Sequence, residues 1–285
     1  MPEIPHLDPL PMIGLADYHV HCDYSVDAVG CIEQYCEAAI QRNLVEICFT
    51  THYDSNPNSV DGDSGNVIRI NDQLIKATPD ALNAYVEHVH RAHEQYFPLG
   101  VAVKVGLEFG WYPGCEGTVA ELRDRFHFDY MLCGVHELDN ICYCCQHLYK
   151  MCFERYSLEQ MAEKYFSEVI TAARSGLFDT IAHLDYYKKF ALDHYGDTVR
   201  SVHKPYLNDL FAALVETNTA LEINTAAMRK GLNDYFPTAE IVNLARQAGV
   251  VVDRLGSDAH RPEQIGYDFE GASALAPAFI SGCDD

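Results

Sequence analysis

The chain has 285 residues, 48% of them apolar, enough for one large α/β domain with a sizeable core or for two small ones. Its formal charge of −22 excludes nucleic acid as a default partner, because phosphate backbones attract basic surfaces. No apolar run approaches the length of a membrane span, and the proline-rich stretch Met1–Leu15 does not read as a signal peptide. The expected setting is therefore the cytoplasm, with the 11 cysteines mostly free, buried and reduced.

After an N-terminal arm (residues 1–13), Gly14–Cys22 reads as a strand carrying His19 and His21. Two histidines two residues apart share one face of a strand and can grip one metal ion. Taken alone, the pair favours a metal only weakly over two ordinary polar residues at a strand end. Cys31–Ile40 has the spacing of an amphipathic helix. Leu44–Thr50 suits a strand buried on both faces, and it ends in Thr51-His52-Tyr53-Asp54. Ser55–Ala77 is polar and long for a connector, so a lid or substrate wall is expected there. Thr78-Pro79 then opens a helix whose His88, His90 and His93 spread around its surface and read as solvated.

Val101–Leu107 is an apolar strand that runs into Glu108. A carboxylate in that position needs a cation or a hydrogen-bond partner. A turn at Pro113–Gly117 and a short helix, Thr118–Arg125, follow. Asp129–Val135 is the next strand, ending in His136-Glu137. The run Cys142-Tyr143-Cys144-Cys145-Gln146-His147 lacks the paired spacing of a zinc knuckle and is expected to be a loop of reduced thiols. Ser157-Leu158-Glu159-Gln160 forms a capping box for a helix to about Ser175. Phe178–Ala182 is a strand leading to His183-Leu184-Asp185, with Lys188 and Lys189 just beyond. A helix, Pro205–Thr217, precedes the strand Ala220–Ile223, which leads to Asn224-Thr225, Arg229 and Lys230. The helix Thr238–Ala248 precedes the strand Val250–Gly256 and then Ser257-Asp258-Ala259-His260; the tail from Glu270 suggests one last helix.

Strand and helix thus alternate about seven times, which implies a parallel sheet with helices outside. Nearly every strand ends in His, Glu, Asp or Asn. A doubly wound sheet would spread those ends along a line, whereas a barrel gathers them at one face. The expected metal ligands are His19, His21, Asp27, His52, Glu108, His136, His183, Asp258 and His260, enough for two or three divalent ions with Glu108 bridging. Arg229, Lys230, Lys188 and Lys189 lie beyond strands that end at the same face. Cations beside a multi-metal centre suit a phosphate, although the lysines are equally well snorkelling surface residues.

The pieces Asp17-Tyr18-His19-Val20-His21, Thr50-Thr51-His52, Gly106-Leu107-Glu108, Gly134-Val135-His136, Ala182-His183-Leu184-Asp185 and Gly256-Ser257-Asp258-Ala259-His260 resemble, in order, the motifs of the PHP (polymerase and histidinol phosphatase) superfamily. Tyr112-Pro113-Gly114, His183–Phe190 and Glu222–Lys230 through Tyr235-Phe236-Pro237 are similar to segments of its histidinol-phosphatase branch. The resemblance implies a single PHP domain over residues 1–285, built as a distorted (β/α)7 barrel with a zinc, iron or manganese centre. It assigns one ion to His19, His21, Glu108 and Asp258, a second to Glu108, His136 and His183, and a third to His52, His260 and Asp27. Several members of the family carry histidine where Asp27 stands, and Thr51 replaces an acidic residue that often precedes the histidine.

The implied reaction is hydrolysis of L-histidinol phosphate in histidine biosynthesis. Glu108, Asp258 and His260 would act at the metals, Arg229 with Lys230, Lys188 or Lys189 at the phosphate, and Asp54 at the substrate or a proton. The implied partner is a small phosphorylated substrate, with neither nucleic acid nor membrane, for a monomer or homodimer. A phosphoesterase for another small ester or nucleotide, an amidohydrolase-like enzyme and a metal-binding protein with a decayed site remain the alternatives.

Overall fold

The computed structural model describes residues 14–60 and 66–275; the N-terminal arm lies outside them. Its strands are β1 (Leu15–Val20), β2 (Leu44–Phe49), β3 (His52–Tyr53), β4 (Val67–Ile70), β5 (Gln73–Lys76), β6 (Ala102–Gly110), β7 (Tyr130–Gly134), β8 (Glu137–Leu138), β9 (Ile141–Cys142), β10 (Thr180–Ile181), β11 (Ala220–Asn224) and β12 (Arg254–Gly256). The helices are α1 (Ile32–Gln41), α2 (Pro79–Tyr96), α3 (Glu116–Phe126), α4 (Tyr149–Phe153), α5 (Leu158–Ser175), α6 (Lys188–Tyr195), α7 (Leu207–Thr217), α8 (Ala226–Arg229), α9 (Ala239–Gln247) and α10 (Phe269–Ser273).

Seven parallel strands run in the order β1-β2-β6-β7-β10-β11-β12, with β3 as an extra partner of β6. A parallel bridge from Val20 to Ala259 brings the chain after β12 back to β1, so the barrel is nearly closed. Every residue of β7 and of β11 is buried, as expected for strands covered by helices outside and side chains inside. The helix starts follow local chemistry. Thr78 accepts from the Ala81 N–H ahead of Pro79, and Ser157 and Gln160 cap α5 reciprocally.

Three expectations need correction. The polar stretch after Asp54 is not one long loop. Val67–Ile70 and Gln73–Lys76 pair as an antiparallel hairpin, turned at Asn71-Asp72, and Ile68 is buried in the core. Two of the α2 histidines are not simply solvated: His88 faces Glu33 at 2.8 Å, and the His93 ring meets the Val103 carbonyl at 2.9 Å. Finally, the cysteine-rich loop is not all thiol. The β8–β9 hairpin, turned at Asp139-Asn140, sets the Cα atoms of Cys142 and Cys145 5.6 Å apart, and the two form a disulfide.

Asp185, Lys188 and His203 are buried polar groups. Lys188 gives its ammonium to the buried Asp185 at 2.5 Å, three residues away. It therefore holds a carboxylate that burial pushes up to about 6, and it does not reach toward a substrate. Fully buried His203 has no partner for either ring nitrogen among the described residues. Burial, helped by Lys188, lowers its pKa to about 4. The unfolded chain, with a histidine pKa of about 6.5, binds the proton first as pH falls. The stability from neutral His203 is thus complete above about pH 6.5 and is lost toward pH 4. Urea unfolding at pH 8 and pH 5 should show wild type losing about 2 kcal/mol more than His203→Phe. Equal losses would contradict the assignment.

Candidate metal centre

Each strand delivers its polar residue at its C-terminal end, where the chain leaves the sheet. His19 lies within β1, with His21 just past it, and His52 opens β3. Glu108 sits inside β6, opposite His52 in register. His136, His183, Asp258 and His260 follow β7, β10 and β12. His183 and Asp258 adopt positive φ (26° and 53°), which turns the chain sharply off its strand. The tight packing also explains two glycines. A Cβ on Gly134 would stand 2.8 Å from Glu108 Oε1, and one on Gly256 would stand 2.6 Å from His19 Cβ.

Glu108 is buried at the centre. Its Oε1 lies 2.8 Å from His183 Nε2 and 3.2 Å from His136 Nε2. Its Oε2 lies 2.9 Å from His52 Nδ1, 3.3 Å from His19 Nε2 and 3.4 Å from His21 Nε2. Asp258 Oδ1 faces the His19 and His21 pair at 3.8 and 3.5 Å. Asp27 spans His260 Nε2 at 3.2 Å and His52 Nε2 at 3.8 Å. All nine residues expected as metal ligands therefore meet at one mouth.

A divalent cation fits this donor set. His19 turns its Nδ1 to Glu222 at 3.0 Å, so in the neutral ring its Nε2 carries the lone pair. That Nε2 points at His21 Nε2 only 3.0 Å away, with two carboxylate oxygens close by. Two imidazole lone pairs and two carboxylates directed at one point call for a cation between them. The protonation pattern says the same. Burial disfavours charge on His19, His52 and His136, but the carboxylates outweigh it: Glu222 and Glu108 at His19, Glu108 and Asp27 at His52, Glu108 and Asp54 at His136. These pKa values are raised, that of His52 to about 9. Burial and the neighbouring His52 and His260 push His21 the other way, well below its usual value. Burial would raise Glu108 and Asp258, yet the surrounding imidazoles hold both well below the ordinary carboxylate range. Carboxylates in this setting demand positive charge, from ring protons or from ions.

The mouth opens into a cleft of about 340 Å³. Among the described residues, Asp27, Asp54, Glu108, Glu137 and Asp258 line it, against a single ammonium, Lys189. Lys189 donates to the Cys144 carbonyl at 2.9 Å, and Tyr186 stacks on His183 at 4.4 Å. Cys142, Cys144 and Cys145 form part of the same wall. Asp54 Oδ1 lies 3.7 Å from His136 Nδ1. Arg229 is placed differently from the expectation of a phosphate clamp. Its guanidinium donates to the Ser257 carbonyl at 2.6 Å and the Asp258 carbonyl at 2.8 Å, so it braces the turn that carries Asp258. Lys230 lies over the Tyr186 ring at 5.5 Å, and burial lowers its pKa although Asp258 opposes this.

Sequence reasoning missed the supports behind the ligands. Glu222 holds His19 Nδ1 and also accepts from the His183 backbone N–H at 2.6 Å and from Asn224 at 3.0 Å. Its signal was a carboxylate inside an otherwise apolar strand. Ser25 Oγ accepts from the His52 N–H at 3.1 Å and meets His21 Nδ1 at 3.3 Å. Asp17 accepts from the N–H groups of Ser257 and Gly266, at 2.9 and 2.8 Å, tying β1 to the segment after β12.

A family model described as the PHP domain matches residues 17–226. The chain is 32% identical over 267 residues to a Deinococcus radiodurans protein named "Probable histidinol-phosphatase", covering 92% of each. It is 24% identical over 249 residues to the "Histidinol-phosphatase" of Lactococcus lactis, covering 86% of this chain and 83% of the relative. Its fold is similar to the crystal structure of a histidinol phosphate phosphatase from Lactococcus lactis complexed with zinc, L-histidinol and phosphate. The TM-score is 0.73 at 20% identity, over 94% of this chain and 97% of the other. The ordered ligand motifs, the seven-stranded barrel and these matches over most of the chain agree, and the chain belongs to the PHP family, in its histidinol-phosphatase branch.

Proposed function

We propose that the protein is a metal-dependent phosphomonoesterase that hydrolyses L-histidinol phosphate to L-histidinol and phosphate. The observation that carries this reading is the buried Glu108 carboxylate ringed by five imidazoles at the base of an acidic cleft. Among the described residues a phosphate entering that cleft would meet five carboxylates and one lysine, so it needs further positive charge to bind. The relatives named above support the choice of substrate.

Three divalent ions, with zinc as the first candidate, would be held by His19, His21, Glu108 and Asp258; by Glu108, His136 and His183; and by His52, His260 and Asp27. When bound, such ions activate water, neutralise phosphoryl oxygens and stabilise the leaving alkoxide. The chain's own residues do the rest. Glu222 and Ser25 orient the ligating rings, and Arg229 fixes the Asp258 turn. Lys189, on the cleft wall, is placed to hold a phosphoryl oxygen. Asp54, which also lines the cleft, favours a cationic group on the alcohol portion, as histidinol carries.

Steady-state phosphate release from L-histidinol phosphate, other phosphomonoesters and nucleotides tests the reading. L-Histidinol phosphate should give the highest kcat/KM; faster turnover of another ester would reassign the substrate. In the same assay Lys189→Met should raise KM about 10-fold or more with metal content unchanged, the usual consequence of losing a charge-assisted hydrogen bond. An unaltered KM would remove Lys189 from the phosphate site.

A further inference from the structure

We infer that Arg69 is the positioning residue for Asp27, and through it for the third metal ion; the inference rests on the three-ion reading above. Asp27 differs from the other ligand candidates in its support. Its side chain is 55% exposed and sits on the surface segment between β1 and α1, not on or directly after a barrel strand. A carboxylate there can stay 3.2 Å from His260 and 3.8 Å from His52 only if the backbone beneath it is fixed.

Arg69 supplies that fixation from a distant element. It lies in β4, whose neighbouring residue Ile68 is fully buried and anchors the hairpin to the core. The guanidinium enters the Asp27 loop and, among the described residues, donates only to backbone. Nη1 reaches the carbonyls of Asp23 at 3.0 Å, Ser25 at 3.2 Å and Ala28 at 3.0 Å, and Nη2 reaches that of Val26 at 2.5 Å. The Arg69 backbone N–H donates to the Tyr24 carbonyl at 2.9 Å. Five of the six carbonyls from residue 23 to residue 28 thus converge on one residue, and Asp27 is the exception. A planar guanidinium with several fixed donors can gather carbonyls pointing in different directions, whereas an ammonium covers fewer of them. The β4–β5 hairpin is therefore a clamp on the loop that completes the outermost ion site. Supports of this kind behind a metal ligand typically change affinity about 10–100-fold.

The test is a zinc titration of chelator-stripped protein against a chromophoric competitor, on wild type, Arg69→Gln, Arg69→Lys, Asp27→Asn and the Arg69→Gln/Asp27→Asn double variant. Arg69→Gln should weaken one of three zinc equivalents by about 10–100-fold and leave the other two unchanged. Asp27→Asn should weaken the same equivalent, the double variant should lose no more than Asp27→Asn alone, and Arg69→Lys should fall between wild type and Arg69→Gln. Far-UV circular dichroism reports whether each variant folds; if Arg69→Gln does not, Arg69→Lys carries the comparison. Three equivalents at wild-type affinity in a folded Arg69 variant, or a loss that adds to that of Asp27→Asn, would overturn the role of Arg69. A wild type without a third equivalent would overturn the three-ion reading itself.

Discussion

Glu108→Gln should lose both catalysis and metal, with kcat/KM down by on the order of 1,000-fold or more, because metal ions at such a centre supply several kcal/mol of transition-state stabilisation. The substitution keeps the shape of the side chain and changes only its charge and one donor atom. Both carboxylate oxygens are committed, Oε1 to His136 and His183 and Oε2 to His19, His21 and His52. An amide offers one oxygen ligand in place of two, and its NH2 would face imidazole nitrogens meant for a cation. It also removes the negative charge that raises the pKa values of His19, His52 and His136, so those rings become neutral at lower cost. Metal analysis of the purified variant, beside its phosphate-release kinetics, checks both parts. Full metal content with wild-type turnover would show that Glu108 does not bridge.

Glu222→Gln should produce a different defect. Glu222 touches no expected substrate position, yet its two oxygens fix His19 Nδ1, the His183 N–H and the Asn224 amide. Losing the negative charge makes His19 a weaker donor and leaves a buried amide NH2 opposed to groups that also donate. Zinc affinity should fall about 10–100-fold. Activity at limiting zinc should fall with it and recover substantially when excess zinc is supplied. Glu108→Gln should not recover, because it lacks a ligand and not merely the support of one. Wild-type zinc affinity in Glu222→Gln, measured by competition, would show that the His19–Glu222 contact does not tune the centre.

Features set within one element were legible in the sequence; those set by distant elements were not. The strands and major helices were legible because apolar runs, capping residues and Pro or Gly boundaries act within one element. Thr78-Pro79 and Ser157–Gln160 start helices as their side chains dictate. The ligand candidates were legible because His, Glu and Asp at apolar strand ends are costly without a partner. Partners brought in by the barrel were not. Lys188 turns inward because buried Asp185 lies one helical turn away, and Arg229 is taken by carbonyls of a segment 28 residues further on. The hairpin that carries Arg69 was hidden in a polar stretch whose alternation is weak, since every residue of Gln73–Lys76 is exposed. The Cys142–Cys145 disulfide depends on a turn at Asp139-Asn140 that spacing alone did not reveal.

The ringed Glu108 carboxylate is expected to hold catalytic divalent ions. The most direct measurement takes one preparation, strips it with a chelator, restores zinc in steps, and follows bound zinc and phosphate release from L-histidinol phosphate together. The proposed centre should give a stripped protein without turnover and activity that rises with bound zinc. Undiminished release of phosphate by metal-free protein would contradict it.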